Sequence, residues 1–424
     1  MTDLIAELRW RGFLAQTTCE DIAAYMSQPR TVYVGFDPTA ASLHLGSLIP
    51  VMGLAHAQRH GHRPIALVGG GTGLIGDPSG KTSERVLLTA EKVRDNCAGI
   101  HRQLSRFIDL STPDRGMLLD NADWLVSLNL LEFLRDIGKH FSVNEMIRRD
   151  SVRMRLEERD HGISYTEFSY MLLQAYDFLH LCRHYDCTVQ MGGSDQWGNI
   201  LSGADLARRI LNRRAEGITF PLLTTSTGKK FGKTEEGAVW LDPDLTSPYQ
   251  MYQYWIQTAD ADAVAFLKLF TFLSQKQIEE LADESRARPE SRAAQKALAT
   301  ECTAIVHGRE AVASVERVSQ ILFGSADIIP DAATIAMLAR EMPSTPVNRA
   351  ELEPGLAMPD LLVRTRLAES KGAARKLIAA GGVYINNQRC DAGRLAVSAA
   401  DVAWPDAILL RSGKKSYHLL RVEP

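Results

Sequence analysis

The residues best able to do chemistry lie in short polar segments that follow apolar stretches. His44 begins the segment HLGS, which comes after the apolar run TVYVGF, and Lys229, Lys230 and Lys233 lie among glycines in TGKKFGKT. A histidine can donate a hydrogen bond to phosphate oxygens, and lysines on a glycine-hinged loop can close over a polyphosphate as charge develops there. These segments predict a site for a phosphate-bearing ligand.

A second polar group lies in the helical stretch ISYTEFSYMLLQAYDFLHLCRH. Tyr170, Gln174 and Asp177 stand at positions i, i+4 and i+7, so they share one face of the helix. A carboxylate in such an apolar sequence is costly to bury unless it accepts a hydrogen bond. We therefore expect Asp177 to meet a polar ligand or a side-chain donor.

The elements that must position these residues are strands, each followed by a turn and a helix. Strands are predicted over residues 31–36, 64–68, 117–119 and 188–191, and helices over 45–57, 89–107, 163–184 and 200–213. Residues 128–158 predict two or three further helices, which interrupt the alternation. The pattern is that of an α/β protein with a parallel, doubly wound sheet. In such sheets anionic ligands bind at the carboxyl ends of the strands, beside helix N-termini.

After residue 245 the sequence pattern changes from helical to linker-like and then to a small basic module. Residues 246–323 are helical in pattern, and residues 324–359, rich in Pro, Ala and acidic residues, predict a linker. The last segment predicts a small α+β module, and residues 361–424 carry eleven Lys and Arg against five Asp and Glu, a net charge of +6. A basic module on an otherwise acidic chain is typical of an appendage that binds a polyanion.

Composition narrows the class of protein. A chain of 424 residues with 45% hydrophobic and 23% charged residues predicts a globular protein of two or three domains. The six cysteines form no CxxC pair, which predicts free thiols in a reducing compartment. Asp3 and Glu7 argue against a leader peptide, and no apolar run approaches membrane-spanning length. A cytoplasmic protein is expected.

Two nucleotide-binding motifs compete with this interpretation. Gly71, Gly73 and Gly76 match the GxGxxG fingerprint of dinucleotide-binding dehydrogenases, but residues 77–80, Asp-Pro-Ser-Gly, interrupt the helix that the fingerprint requires. A P-loop ending in the GKT of residues 80–82 would need glycine at position 75, which is Ile75. The first match is weak and the second fails.

Six segments, taken in order, resemble a known family. VYVGFDPT, HLGS, GLIGDPSGK, SYMLLQAYDF, GGSDQWGN and KFGKT are similar to the motifs of bacterial-type tyrosyl-tRNA synthetases, with HLGS in the place of the class I HIGH signature and KFGKT in that of KMSKS. The resemblance covers essentially the whole chain, and the C-terminal module looks like the S4-type RNA-binding domain. The related tryptophanyl enzymes and an RNA-binding protein that has lost catalysis are the alternatives within this resemblance. Tyr33 with Asp177 argues against the first, and the intact motif residues argue against the second.

The resemblance implies a domain order. A Rossmann-like catalytic domain would span residues 1–245, with a helical dimerisation insertion at about 120–160 and the KFGKT loop at about 225–236. An all-α anticodon-recognition domain would follow at 246–324, then a linker at 325–356 and an S4-like RNA-binding domain at 357–424. It also implies a homodimer, with tRNA lying across both subunits, and no DNA or membrane partner.

The resemblance further implies a reaction and its residues. Tyrosine would attack the α-phosphate of ATP, with Mg²⁺ on the polyphosphate and no dedicated protein metal site, and the tyrosyl group would pass to the terminal adenosine of tRNA(Tyr). The residues implied in catalysis are Thr39, His44, Lys81, Arg85, Lys230 and Lys233. Those implied to hold tyrosine are Tyr33, Asp77, Tyr170, Gln174, Asp177 and Gln196. Those implied to contact ATP are Asp37, His44, Gly46, Ser47, Gly193, Asp195, Lys230, Lys233 and Thr234. The substrate phenol would meet Tyr33 and Asp177, giving Asp177 its donor.

Two positions depart from the family pattern. Ser47 stands where the family more often has His, and Val34 replaces a common Cys. We expect weaker ATP binding but not loss of activity.

Overall fold

The computed structural model describes residues 3–79, 87–157, 162–226, 228, 231–234, 237–323, 328–391, 393–413 and 416–424. The chain forms two compact units, an N-terminal unit of Met1–Thr246 with Trp255–Val306 and a C-terminal unit of Ser247–Tyr254 with His307–Pro424. The functional domains expected at 246–324 and 357–424 stay a prediction. No helix among the described residues has the length and apolar character needed to span a membrane.

A six-stranded sheet organises the N-terminal unit. Its strands are β1 (Gln16–Thr17), β2 (Thr31–Phe36), β3 (Arg63–Val68), β4 (Met117–Asp120), β5 (Cys187–Gly193) and β6 (Glu216–Phe220). Their order is β1-β6-β5-β2-β3-β4, with β2 to β6 parallel and β1 antiparallel to β6. The parallel α/β architecture is confirmed. The chain runs outward from β2 in both directions, so the strand order reverses between β2 and β5.

The central strands are apolar because both faces of the sheet are covered. Val32, Tyr33 and Val34 of β2 expose at most 2% of their surface. Near-continuous hydrophobic runs are what a parallel sheet with helices on both faces requires. A separate hairpin, β7 (Lys233–Thr234) with β8 (Gly237–Ala238), lies in the segment that follows β6.

The helices follow the predicted alternation with small shifts. Those of the N-terminal half are α1 (Leu4–Arg11), α2 (Ile22–Tyr25), α3 (Leu48–Arg59), α4 (Ala90–Leu104), α5 (Ala122–Leu125), α6 (Leu130–Asp136), α7 (Val143–Ile147), α8 (Asp150–Glu157), α9 (Tyr165–His184) and α10 (Trp197–Leu211). The helix expected from residue 45 instead opens with a 3-10 turn, Leu45–Ser47, before α3. Pro50 falls in the first turn of α3, where its missing N–H costs nothing.

The predicted helical stretch after residue 246 is present. It consists of α11 (Pro248–Ile256), α12 (Asp260–Phe270), α13 (Gln275–Ala287), α14 (Ala293–His307) and α15 (Arg309–Leu322).

The C-terminal unit is built on a five-stranded sheet. Its helices after α15 are α16 (Ala332–Glu341), α17 (Arg349–Leu352), α18 (Met358–Arg364) and α19 (Lys371–Ala379). The strands of the unit are β9 (Ser344–Asn348), β10 (Leu356–Ala357), β11 (Val383–Ile385), β12 (Gln388–Arg389), β13 (Ala396–Val397), β14 (Ala407–Ser412) and β15 (Ser416–Glu423). The order is β12-β11-β14-β15-β9, and β10 pairs separately with β13.

Both faces of this C-terminal sheet are buried. Leu409 and Leu419 pack with Val318 and Ile321 of α15 and with Leu338. Alternate residues of the same strands, such as Leu410 and Leu420, pack in a second cluster with α18 and α19. Because successive side chains of a strand point to opposite faces, each strand contributes to two apolar cores.

The stretch expected as a linker holds regular structure. α16 belongs to the cluster around α15, and β9 pairs in parallel with β15, placing Pro346 opposite Arg421. β9 is the edge of the sheet, where a proline without an N–H is tolerated. Prolines that suggest a linker in the sequence therefore also fit an edge strand.

Candidate active site

The candidate residues converge on the carboxyl ends of β2, β3, β4 and β5. Asp37 follows β2, Asp77 follows β3, Asn121 follows β4, and Asp195 follows β5. Ligands of open α/β sheets bind where the strand order reverses, which here is between β2 and β5. Tyr33 of β2 and Gln190 of β5 are register partners at that point, so their side chains share one face of the sheet.

Asp177 lies 2% exposed on α9 and accepts two hydrogen bonds. Asn121 Nδ2 donates to one carboxylate oxygen at 2.8 Å and Trp124 Nε1 donates to the other at 2.7 Å. The donors that Asp177 needs thus come from the protein, which agrees with the side-chain alternative predicted from the sequence. The substrate hydroxyl that the family resemblance implies as its donor is not required to satisfy it. Burial raises the pKa of Asp177 to about 8, while these two hydrogen bonds act in the opposite direction.

Tyr33 and Gln190 each carry a buried polar atom on the sheet face that they share. The Tyr33 hydroxyl and the Gln190 Oε1 are buried and find no hydrogen-bond partner among the described residues. Burial, and then the charge of Asp177, raise the pKa of Tyr33 well above its ordinary value, so the hydroxyl stays protonated. An unpaired buried polar group costs about 1–3 kcal/mol. A donor and an acceptor of this kind, next to a carboxylate, suit a ligand that carries its own hydroxyl group.

A hydrogen-bond chain continues from Asn121 toward the strand end. Asn121 Nδ2 also reaches Thr72 Oγ1 at 3.0 Å, Thr72 donates to one oxygen of Asp37 at 2.8 Å, and Tyr170 donates to the other at 2.9 Å. Tyr170 therefore faces Asp37, and both side chains are held in place by their partners. We call Tyr33, Asn121, Trp124 and Asp177 the buried end of the site.

A second network surrounds Asp77, which is 8% exposed. Gln196 Nε2 donates to Asp77 Oδ2 at 2.7 Å, and Gln174 Nε2 donates to Gln196 Oε1 at 3.2 Å. Asn199 Nδ2 donates to Gln174 Oε1 at 2.9 Å. Burial, and then the charges of Asp37 and Asp77, raise the pKa of Tyr170 well above its ordinary value. A cluster of anionic and amide oxygens is suited to an ammonium group.

The HLGS segment forms the opposite, solvent-facing end. Thr39 and His44 are exposed, and Gly46 and Ser47 are half-buried at the 3-10 turn before α3. A Cβ at Gly46 would lie 2.8 Å from the His44 ring, so only glycine leaves that ring its place. We call Thr39, His44, Gly46 and Ser47 the exposed end of the site.

The segment after the lysine loop is tied to this exposed end. Leu45 N–H donates to Val239 O at 2.9 Å, and Leu241 N–H donates to Leu43 O at 2.8 Å. Gly232 has a φ of +76°, and a Cβ there would lie 3.1 Å from the Gly46 nitrogen. The stem of the loop thus packs directly on HLGS.

Several predicted residues fall outside what the structure describes. Lys81, Arg85 and Lys230 lie outside the described residues. Lys233 and Thr234 belong to β7, but only their backbone is described. Gly193 ends β5 and Asp195 follows it, where a Cβ on Gly193 would overlap the Asp195 carboxylate.

In the described part of the glycine-rich loop after β3, two backbone N–H groups donate to side chains. Gly70 N–H donates to Asp120 Oδ1 and Gly71 N–H donates to Asn121 Oδ1, at 3.0 and 2.8 Å. In a dinucleotide-binding turn the backbone approaches the pyrophosphate at the second glycine of the motif, which here is Gly73, and its N–H donates to Gly69 O at 2.7 Å. The occupation of this donor argues further against the dehydrogenase.

The sequence did not single out Asn121, Trp124, Thr72, Gln190 or Asn199 as site residues. Asn121 and Trp124 stand 56 and 53 positions from Asp177 in the chain, so no local pattern connects them. Their one available signal was a run of polar residues directly after a predicted strand.

Two family models cover the chain. The model described as "tRNA synthetases class I (W and Y)" matches residues 26–324, and "Tyrosine--tRNA ligase SYY-like C-terminal domain" matches residues 334–420. Together they cover β2 to β6 of the N-terminal sheet and most of the C-terminal sheet.

Curated relatives match over full length. A tyrosine--tRNA ligase of Roseiflexus castenholzii is 50% identical over 426 residues and covers 100% of both chains. One of Desulfosudis oleivorans is 51% identical and covers 100% of this chain and 99% of its own. A C-terminally truncated mitochondrial tyrosyl-tRNA synthetase of Aspergillus nidulans is similar in structure, with a TM-score of 0.69 and 32% identity over 76% of this chain and 95% of its own. The chain therefore belongs to the class I tRNA synthetases, and within them to the bacterial-type tyrosyl-tRNA synthetase family.

Proposed function

We propose that this chain is a tyrosine–tRNA ligase, which joins tyrosine to ATP as tyrosyl-adenylate with release of pyrophosphate, and then transfers the tyrosyl group to the 3′-terminal adenosine of tRNA(Tyr). The full-length identity to relatives of that name supports the activity. The observation that carries the choice of amino acid is the pair of Asp177 and the Tyr33 hydroxyl at the buried end of the site, where that hydroxyl has no partner in the described part of the chain.

The phenol of tyrosine fits this pair by its chemistry. Asp177 has accepted one hydrogen bond on each oxygen and retains lone pairs for a third donor. The substrate hydroxyl would donate to Asp177 and accept from Tyr33, which gives the Tyr33 hydroxyl the partner that it lacks among the described residues. A site built to bond a substrate hydroxyl rejects an analogue without one, and the discrimination of tyrosine from phenylalanine by tyrosyl-tRNA synthetase is the standard example of that effect.

The amino acid backbone would lie against the second network. Asp77, Tyr170 and Gln174 would hold the ammonium group, and Gln196 would approach the carboxylate. The hydrogen bonds among these side chains fix their orientation before the substrate arrives, which lowers the entropic cost of alignment.

ATP would occupy the exposed end. Thr39 and His44 would face the triphosphate, with Lys81, Arg85, Lys230 and Lys233 around the pyrophosphate and Thr234 beside them. Gly46, Ser47, Gly193, Asp37 and Asp195 would contact the nucleoside and its ribose, and Mg²⁺ would arrive with ATP as part of that substrate. Phosphoryl chemistry of this kind leaves the protein to align the tyrosine carboxylate and to stabilise charge on the leaving pyrophosphate.

The tRNA would be bound by the helical stretch 246–324 and by the C-terminal module. α19 exposes Lys371, Arg375 and Lys376 while it buries Ala374 and Ile378. A basic helix face over an apolar core is a suitable contact for phosphates. Charge reversal of Arg375 and Lys376 should weaken tRNA charging and leave pyrophosphate exchange unchanged.

The insertion before α9 supports a homodimer. Leu130, Leu131 and Val143 on its short helices expose 68%, 76% and 56% of their surface, and Tyr165 exposes 74%. Large exposed apolar side chains mark interfaces in soluble proteins. Leu131→Glu should convert a dimer to a monomer in sedimentation analysis. A cytoplasmic location stays a prediction, consistent with the six free cysteines.

The decisive experiment is amino-acid-dependent ATP–pyrophosphate exchange, run with tyrosine, tryptophan and phenylalanine in parallel. Exchange with tyrosine alone is expected, followed by charging of tRNA(Tyr). Exchange driven by tryptophan would assign the chain to the other branch of the family. No exchange with any of the three would contradict the catalytic proposal.

A further inference from the structure

One aromatic contact connects the surface of α9 to the buried end of the site. The imidazole of His180 stacks on the indole of Trp124, with ring centroids 4.2 Å apart and an interplanar angle of 13°. His180 follows Asp177 by one helical turn, so the two side chains lie on neighbouring positions of α9. Trp124 is 8% exposed, and His180 is half-buried.

The Trp124 indole also makes a hydrogen bond through its ring nitrogen. Its Nε1–H donates to Asp177 Oδ1 at 2.7 Å, so any rotation of the ring moves that donor off the carboxylate. Trp124 belongs to a buried cluster with Tyr33, Leu67 and Phe178, and among the described ring contacts the one that stacks on its indole is His180. The stacked imidazole therefore fixes the plane of the indole.

The surroundings of His180 keep it neutral. Burial, and then the charges of His184 and Arg183, lower the pKa of His180 to about 4. Tyr176, His184 and Tyr185 also surround the ring, with centroids 6.4, 4.4 and 6.2 Å away. A neutral ring adds no positive charge beside Asp177, so its contribution is geometric.

We propose that His180 is a positioning residue for tyrosine recognition, which acts by holding the Trp124 indole in the plane that directs its N–H to Asp177. The proposal rests on the proposed function, because it assigns His180 a role in binding the phenol of that substrate. It concerns affinity for tyrosine and not the ATP end of the site.

The test is a kinetic comparison of four proteins in tyrosine-dependent pyrophosphate exchange. His180→Ala should raise the KM for tyrosine about fivefold, since an aromatic stack of this kind corresponds to a change of roughly two- to tenfold. The kcat and the KM for ATP should stay within twofold of the wild type. His180→Phe retains a flat ring and should restore the KM for tyrosine. Arg183→Ala, at an exposed position on the same helix, is the matched control for a change of helix surface and charge, and it should behave as wild type because the proposed role of His180 is geometric.

A double-mutant cycle separates positioning from general packing. Trp124→Phe removes the N–H donor but keeps a ring, so His180→Ala should add less than twofold to the KM for tyrosine on that background. An equal effect on both backgrounds would overturn the proposal, as would an unchanged KM in His180→Ala or a parallel rise in the KM for ATP. The wild-type enzyme is measured first: absence of exchange there counts against the proposed function, whereas exchange with no response to His180→Ala counts against this inference alone.

Discussion

The two ends of the site are built in opposite ways. At the buried end, Asp177 is held by Asn121 and Trp124, which both follow β4, with side chains that are almost wholly removed from solvent. At the exposed end, His44 stands in solvent on a single turn, and the adjoining loop stem bends at Gly232 with φ +76°. The end that must discriminate among amino acids is preorganised, and the end that must follow a moving polyphosphate is left able to adapt. Mutations at the two ends should therefore separate into effects on tyrosine binding and effects on turnover.

The largest effect is expected at the buried end. Asp177→Ala removes the acceptor for the phenol and leaves the donors of Asn121 and Trp124 unpaired, so kcat/KM for tyrosine should fall about a thousandfold. Exchange kinetics over a range of tyrosine concentrations measure it. Asp123→Ala, an exposed carboxylate on α5, is the control and should change nothing. A loss of less than tenfold in Asp177→Ala would mean that this end is not where the amino acid is chosen.

A substitution at the loop stem should act on turnover instead. Gly232→Ala imposes a positive φ on alanine and brings its Cβ to 3.1 Å from the Gly46 nitrogen, so kcat for exchange should fall about tenfold, with the KM for tyrosine unchanged. Gly228→Ala shares the positive φ of +77° but meets no atom of the described residues within 4 Å. It should lose about threefold or less. Equal losses in the two variants would show that backbone strain, and not the contact with HLGS, sets the effect.

A smaller effect is expected for Tyr33, whose buried hydroxyl costs stability in the free enzyme. Tyr33→Phe removes a buried hydroxyl that has no partner among the described residues, so the free energy of unfolding should rise by about 1 kcal/mol. The KM for tyrosine should rise about fivefold, because one hydrogen bond to the phenol is lost. Denaturant titration and exchange kinetics measure the two changes. A less stable Tyr33→Phe protein would mean that the hydroxyl is satisfied in the free enzyme.

The smallest effect is expected at the exposed end of the site, in the KM for ATP. Ser47→His restores the residue that the family more often has, and it should lower the KM for ATP about threefold by adding one longer-reaching hydrogen bond. The KM for tyrosine should stay constant. No gain in apparent ATP affinity would show that Ser47 already makes the contact its hydroxyl allows, or that none is needed.

The sequence predicted the strands that position the site better than the side-chain contacts within it. Apolar runs followed by glycine and polar residues were sufficient to predict β2, β3, β4 and β5, because strand periodicity and turn chemistry are local properties. They also placed Asp37, Asp77 and Asp195 at strand ends. Asn121 and Trp124 could not be linked to Asp177 in this way, since these contacts join residues more than 50 positions apart. The unpaired atoms of Tyr33 and Gln190 depend on how neighbouring side chains pack, which no residue pattern encodes.

The predicted linker also shows that a residue pattern alone does not reveal which segments a chain element packs against. Prolines and acidic residues over 325–356 are typical of a connector, yet α16 and β9 bury Leu338 and Val347 there. An edge strand and a linker draw on similar residues, and only the partner strand β15 distinguishes them.

The double-sided C-terminal sheet has a practical consequence for shortening the chain. The family model for the N-terminal region ends at residue 324, but Val318 and Ile321 of α15 are fully buried against Leu409 and Leu419 of β14 and β15. A chain cut at 324 would keep α15 and strip away its cover, leaving an apolar stripe prone to aggregation. A chain cut at 307, before α15 begins, removes the helix together with the sheet that it protects, and should be the more soluble of the two.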